Sequence, residues 1–152
     1  MGIMQQTRYV FHLEQNIHAH LFKVYNKIGN KTQRVRFKLF LNFLSQHEQA
    51  IKICIEEFEN CHTKQELNRW FKFVPRDLQA DYTRILNVDE NNEVDEIINL
   101  GLGIADKFID MYSSMAKKSN CESVIAAADN MVLFGGDKKE NLLKTLRKFK
   151  NM

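Results

Sequence analysis

Proline occurs once, at Pro75, and glycine only six times in 152 residues. So few breakers leave long helices little reason to stop, and the abundance of Leu, Lys, Glu, Gln, Ala and Met predicts an all-α chain. Cysteine is scarce as well. Cys54, Cys61 and Cys121 are odd in number and show no CxxC spacing, which argues against a disulfide framework and for reduced thiols. No stretch approaches the roughly 18 to 20 apolar residues that a membrane span needs, and the opening MGIMQQTRYVFHLEQ lacks the basic-then-apolar order of a signal peptide. These absences predict a cytoplasmic protein with no membrane partner. Charge of one sign is missing too: a net +3 is too small to point to nucleic acid or an anionic surface. There is no Gly-rich phosphate loop after a strand, and no Ser-His-Asp or Cys-His constellation can be assigned from spacing.

With 44% hydrophobic and 27% charged residues, the chain has the composition of one globular domain spanning residues 1–152, long enough to bury its own core. Its longest apolar-periodic run is RVRFKLFLNFLSQHEQAIKICIEEF, residues 34–58. On a helical wheel, Lys38, Asn42, Ser45, Gln49, Lys52 and Glu56 share a polar face. Phe40, Phe43, Leu44, Ile51, Cys54 and Phe58 lie opposite, with His47 among them and Glu48 at the edge. Before this run, Val10, Leu13, Ile17, Leu21, Val24 and Ile28 recur at three- and four-residue spacing and predict a first helix from about Gln5 to a stop at Gly29-Asn30. So short a link makes the first two helices antiparallel neighbours, a hairpin over residues 5–60.

The segment 61–91 reads as a crossover. Thr63 and Glu66 fit a capping box for a short helix through Trp70 and Phe71, and Pro75 forces a break, with room for one more turn before Asp89. Trp70 is expected to be a packing anchor. A second hairpin, residues 92–150, follows: one helix from about Glu93 to Lys118, and a fourth from near Cys121 that Gly135-Gly136 should interrupt. Asp137 would cap a last segment to Lys150, whose Leu142, Leu146 and Phe149 face needs cover. A homodimer or a protein partner is one way to supply it.

Two hairpins joined by one long crossover resemble the ferritin-like four-helix bundle. IINLGLGIADKFIDMYSSMAKKS, residues 97–119, is similar to the rubrerythrin-like helix that reads approximately AxxLAxxxExxAIxFYxxLA, followed by a partner of the form FxxLAxxExxH. The first hairpin resembles a second copy: IHAHLFKVYNKI lies on IADKFIDMYSSM with Tyr25 on Tyr112, and FLNFLSQHE falls where the partner helix belongs. Rubrerythrin-like proteins hold two irons with a Glu from each of two helices and a Glu-x-x-His from each of the others. Here the Glu that should precede the tyrosine by seven residues is His18 in one copy and Ala105 in the other. The first Glu-x-x-His falls either on His47 with Ala50 or on Glu48 with Ile51, and both choices lack the terminal histidine. Gly135, Gly136, Asp137 and Lys138 occupy the region of the second.

The resemblance therefore implies a ferritin-like scaffold that has lost most di-iron ligands, a noncatalytic binding or assembly module with no cofactor. The residues also leave an alternative open. Glu14 and His18 lie on one helical line with Tyr25, while His47 and Glu48 come from the partner helix. His12, expected at the height of His47, and His20 are near in sequence. Such a set suits a single transition-metal ion, iron or zinc, in a metal-binding protein or metalloenzyme. The reading preferred for these residues is a histidine–carboxylate network that satisfies buried polarity. Lys27, Lys31, Arg34, Arg36 and Lys38 cluster around the first turn, but such charge on an amphipathic helix reads as a solvated face rather than a nucleic-acid site.

Overall fold

The computed structural model describes residues 2–60 and 77–151. Among these it is all-helical, with five helices: α1 (Gly2–Lys31), α2 (Val35–Asn60), α3 (Leu78–Leu86), α4 (Val94–Lys118) and α5 (Glu122–Asn151). The expected capping box at Thr63 and Glu66 and the anchor Trp70 lie outside the described residues, as does Cys61.

The two expected hairpins are present as packed helix pairs, α1 with α2 and α4 with α5. Their direction follows from the contacts. Gln15 reaches Glu59 whereas Gly29 lies against Leu41, so residue numbers rise along α1 as they fall along α2. The same reversal takes Asp95 to Lys150 and Asp106 to Lys139 across α4 and α5. Every apolar residue of the α1 stripe from Val10 to Val24 is buried, and Ile17 and Leu21 are fully enclosed. Against them pack Leu41, Leu44 and Ile55 of α2 and Ile97, Ile98, Phe108, Met111 and Met115 of α4. None of the described helices is long and apolar enough to cross a membrane.

The described part of the crossover is more regular than its sequence suggests. Instead of a single extra turn, α3 is a nine-residue helix that buries Leu78 and Ile85, and Val88 follows it into the core. His20 of α1 donates from Nε2 to the Val88 carbonyl at 2.7 Å, and Asn16 donates to the Tyr82 hydroxyl at 3.3 Å. Lys107 of α4 pairs with Asp81 from the other side. Asp95 and Glu96 in the first turn of α4 and Lys117 and Lys118 in its last match the helix dipole at both ends.

Glycine misleads twice. The expected stop at Gly29-Asn30 falls one residue later, at Lys31, and it is not made by left-handed backbone, because no described glycine has positive φ. A Cβ at Gly29 would stand 3.5 Å from the Leu41 Cβ, so glycine here serves the close approach of α1 and α2. The expected break at Gly135-Gly136, with Asp137 as a cap, is also absent, because α5 is continuous from Glu122 to Asn151. A Cβ at Gly135 would lie 2.9 Å from Ile109 Cγ1; the missing side chain lets α4 and α5 meet. Because α5 does not break, its end docks within the chain. Phe149 stacks on Phe40 with centroids 4.4 Å apart and planes at 8°, and Leu142 is buried. That face therefore supplies no reason for a second copy.

The two adjacent glycines are expected to respond oppositely to alanine in urea denaturation. Gly136→Ala meets no atom within 4 Å and should stabilise the chain by about 0.5 to 1 kcal/mol through helix propensity. Gly135→Ala must displace Ile109, and overpacking of about 1 to 3 kcal/mol should leave it net destabilised.

Candidate functional site

Spacings of four and seven place Glu14, His18 and Tyr25 on one line of α1. All three are at least 96% buried. The antiparallel pairing brings Glu48 of α2 opposite, and the His18 Nδ1 stands 3.3 Å from each of its carboxylate oxygens. A carboxylate can only accept, so Nδ1 carries the hydrogen. One helix further, the Tyr112 hydroxyl of α4 donates to Glu14 Oε1 at 2.7 Å. These groups form one wall of a cavity of about 60 Å³. Leu44, Ile98, Phe108 and Met131 make much of the rest, and Lys138 and Lys139 stand at its edge.

The opposite wall explains where the space comes from. When Tyr25 is laid on Tyr112, Glu14 falls on Gly101, His18 on Ala105 and Glu48 on Gly135. All six line the same cavity. One hairpin supplies polar side chains, and at matching positions the other supplies almost none. Gly101, Ala105 and Gly135 carry no donor atoms, and among the described residues no three His, Cys, Asp or Glu side chains gather closely enough to share an ion. The residues present do not fit a carboxylate-bridged pair of irons.

Of the candidate ligands, Glu14, His18 and Glu48 are deeply buried, and His47 also lines the cavity but is only partly covered. The wheel of α2 is thus rotated from the expected one: Glu48 faces inward and His47 stands towards the rim. Leu41, Leu44, Glu48 and Ile55 form the inward line, because α2 must meet α1 and α5 together. Ser45, expected on the polar face, is buried, and its hydroxyl is satisfied by the Asn42 carbonyl of its own helix at 3.0 Å. His12 is not at the height of His47. It lies by Glu59 at 3.7 Å with its side chain largely exposed, and His20 is committed to the crossover. Neither belongs to the site. The hydrogen bond from Tyr112 and the place of Gly101 in the wall went unseen in the sequence, where Ala105 and Gly135 stood only as positions that lack a ligand.

The site's electrostatics follow from burial. Burial raises the Glu14 carboxyl from 4.5 to about 7, against the opposing pull of His18 and the Tyr112 hydrogen bond. For His18, burial disfavours the charged ring, but attraction to Glu48, its hydrogen bond and Glu14 prevail and lift the pKa above 6.5. His47 is lowered, chiefly by burial. Both tyrosines are pushed well up, by burial and by their carboxylate neighbours.

Compared with models of known protein families, with curated proteins and with solved structures, the chain has no significant match.

A folded-state pKa above the unfolded one makes Glu14 a source of stability at low pH that is lost as pH rises. Its contribution is fully present below 4.5 and gone above about 7, a swing of up to about 3 kcal/mol. His18 acts in the same direction, losing its contribution as pH rises through a value above 6.5. Glu14→Gln keeps an acceptor for Tyr112 and should exceed the wild type in stability above pH 7, with the gain fading towards pH 4.5. Parallel stability curves for the two proteins in urea titrations from pH 4 to 8 would contradict a carboxyl held protonated.

Proposed function

We propose that this chain is a noncatalytic bundle protein of the ferritin-like superfamily, related to the rubrerythrins, that has lost most di-iron ligands and serves as a binding or assembly module. The observation that carries the reading is the two-walled cavity. Its polar wall, Glu14, His18 and Glu48, faces Gly101, Ala105 and Gly135 at the matching positions of the second hairpin. Loss of donors from one half alone removes the chemistry of a paired-iron centre, while apolar burial continues to stabilise the bundle. A ligand, a protein partner or a second copy would then be what the module binds.

A second reading is a metal-binding protein or metalloenzyme that works through Glu14, His18, His47 and Glu48. One observation favours it: all four side chains line the same cavity.

Elemental analysis of the protein as isolated, together with oxygen consumption on addition of ferrous iron, tests the proposal. The expected result is less than one iron per chain and no iron-dependent oxygen uptake. Two redox-active irons per chain would overturn it.

A further inference from the structure

The net charge of +3 conceals a segregation of charge. No Asp or Glu occurs from Gln15 to His47, and none from Asn141 to Asn151. These stretches are far apart in sequence but meet at one end of the bundle. Phe149 of α5 stacks on Phe40 and tilts against Phe37, both of α2, so the last turns of α5 lie beside the first turns of α2. At the start of α2, Arg34, Arg36 and Lys38 are exposed, and at the end of α5, Arg147 and Lys148 are exposed too. The acids of this end are held elsewhere. Glu90 on the crossover and Asp95 on α4 pair with Lys31 and Lys150. Because α3 packs against α1 and α4, whereas α2 packs against α1 and α5, these acids stand away from the outer surface of α2.

A second observation marks the same face. Val35 and Leu39, one turn apart on α2, are 72% and 64% exposed, and among the described residues only Leu133 is a comparably exposed large apolar side chain. Arg34, Arg36 and Lys38 flank the pair within the same turns. Cations select an anionic partner, and the two aliphatic side chains narrow its kind. Nucleic-acid phosphates take hydrogen bonds and charge and have no use for a valine and a leucine set among the cations. A folded protein would need a groove cut to a ridge of outstanding side chains. An anionic bilayer accepts both features, because its headgroups meet the cations while apolar side chains enter the acyl boundary.

We infer that the face formed by the start of α2 and the end of α5 docks on an anionic lipid bilayer, with Val35 and Leu39 entering the acyl boundary and Arg34, Lys38 and Lys148 meeting the headgroups. The expectation of no membrane partner came from the want of a spanning segment and from a small net charge, and neither bears on a segregated surface. Such docking uses neither the cavity nor the iron-ligand positions, and so goes beyond the noncatalytic reading.

Co-sedimentation of the full-length protein with lipid vesicles tests it. The protein should pellet with vesicles of phosphatidylcholine and phosphatidylserine in equal parts, stay in solution with phosphatidylcholine alone, and be released as salt is raised. A cation close to an anionic surface is worth about fivefold in affinity, so Lys38→Gln with Lys148→Gln, one from each helix, should weaken binding at least about tenfold. Val35→Ser with Leu39→Ser should also weaken it, with no change in net charge. Lys117→Gln with Lys118→Gln removes the same charge at the other end of α4 and should leave binding nearly unchanged. All these side chains are exposed, and an unaltered helical circular dichroism spectrum checks that each variant is folded.

Failure to pellet with the anionic vesicles at low salt overturns the inference. So does equal weakening by the Lys117 and Lys118 substitutions, the mark of diffuse attraction, and so does undiminished binding after the Val35 and Leu39 substitutions. Tighter binding of duplex DNA than of the vesicles overturns it as well and assigns the face to nucleic acid. Each of these outcomes leaves the reading of the cavity standing.

Discussion

A carboxyl group inside a helical bundle costs several kcal/mol unless it is neutralised or hydrogen-bonded. Glu14 receives both remedies, and the second ties the two halves of the molecule together. The Tyr112 hydroxyl reaches from α4 to α1 across 98 residues of sequence, within a largely apolar core. Around that bond the aromatic rings are ordered. Phe58 meets Tyr112 edge-on at 5.5 Å and Phe11 at 5.6 Å, so rings from three helices frame the group that most needs shielding. The bond sets the register of one hairpin against the other, which apolar packing alone specifies loosely. The His18–Glu48 pair does the same between α1 and α2.

What could be read in advance, and what could not, divides along physical lines. The α1 stripe was legible because period 3.6 translates directly into burial, and Val10, Leu13, Ile17, Leu21 and Val24 are all inside. The same periodicity put Glu14, His18 and Tyr25 on one line. For α2 it was ambiguous, since apolar residues occur on more than half of the wheel; which side turned inward was decided by neighbours, and His47 and Glu48 exchanged places. Local reasoning treats glycine as punctuation, whereas Gly29 and Gly135 are spacers whose purpose is visible only from the opposite helix. The cavity had no local signature. It is made of side chains that are missing, and Gly101, Ala105 and Gly135 carry meaning only when set beside Glu14, His18 and Glu48.

Polar contacts from both hairpins hold the described part of the crossover. One imidazole on α1 holds the Val88 carbonyl, Asn16 reaches the Tyr82 hydroxyl, Lys107 of α4 pairs with Asp81, and Lys31 pairs with Glu90. Leu78, Ile85 and Val88 then enter the core together. Apolar burial supplies the attraction and the polar contacts fix the position. His20, a candidate for the site by composition, is spent on this anchoring.

The unbroken course of α5 bears on how anything enters or leaves the interior. Thirty helical residues make a rod of about 45 Å, clamped at its far end by stacked phenylalanines and along its length by Lys139 and Lys150. Swinging half of it outwards would cost a turn of backbone hydrogen bonds as well as those clamps. Lys138 and Lys139, which stand at the cavity's edge, are therefore carried by a single unbroken helix, and Lys139 is further held by its pairing with Asp106 of α4.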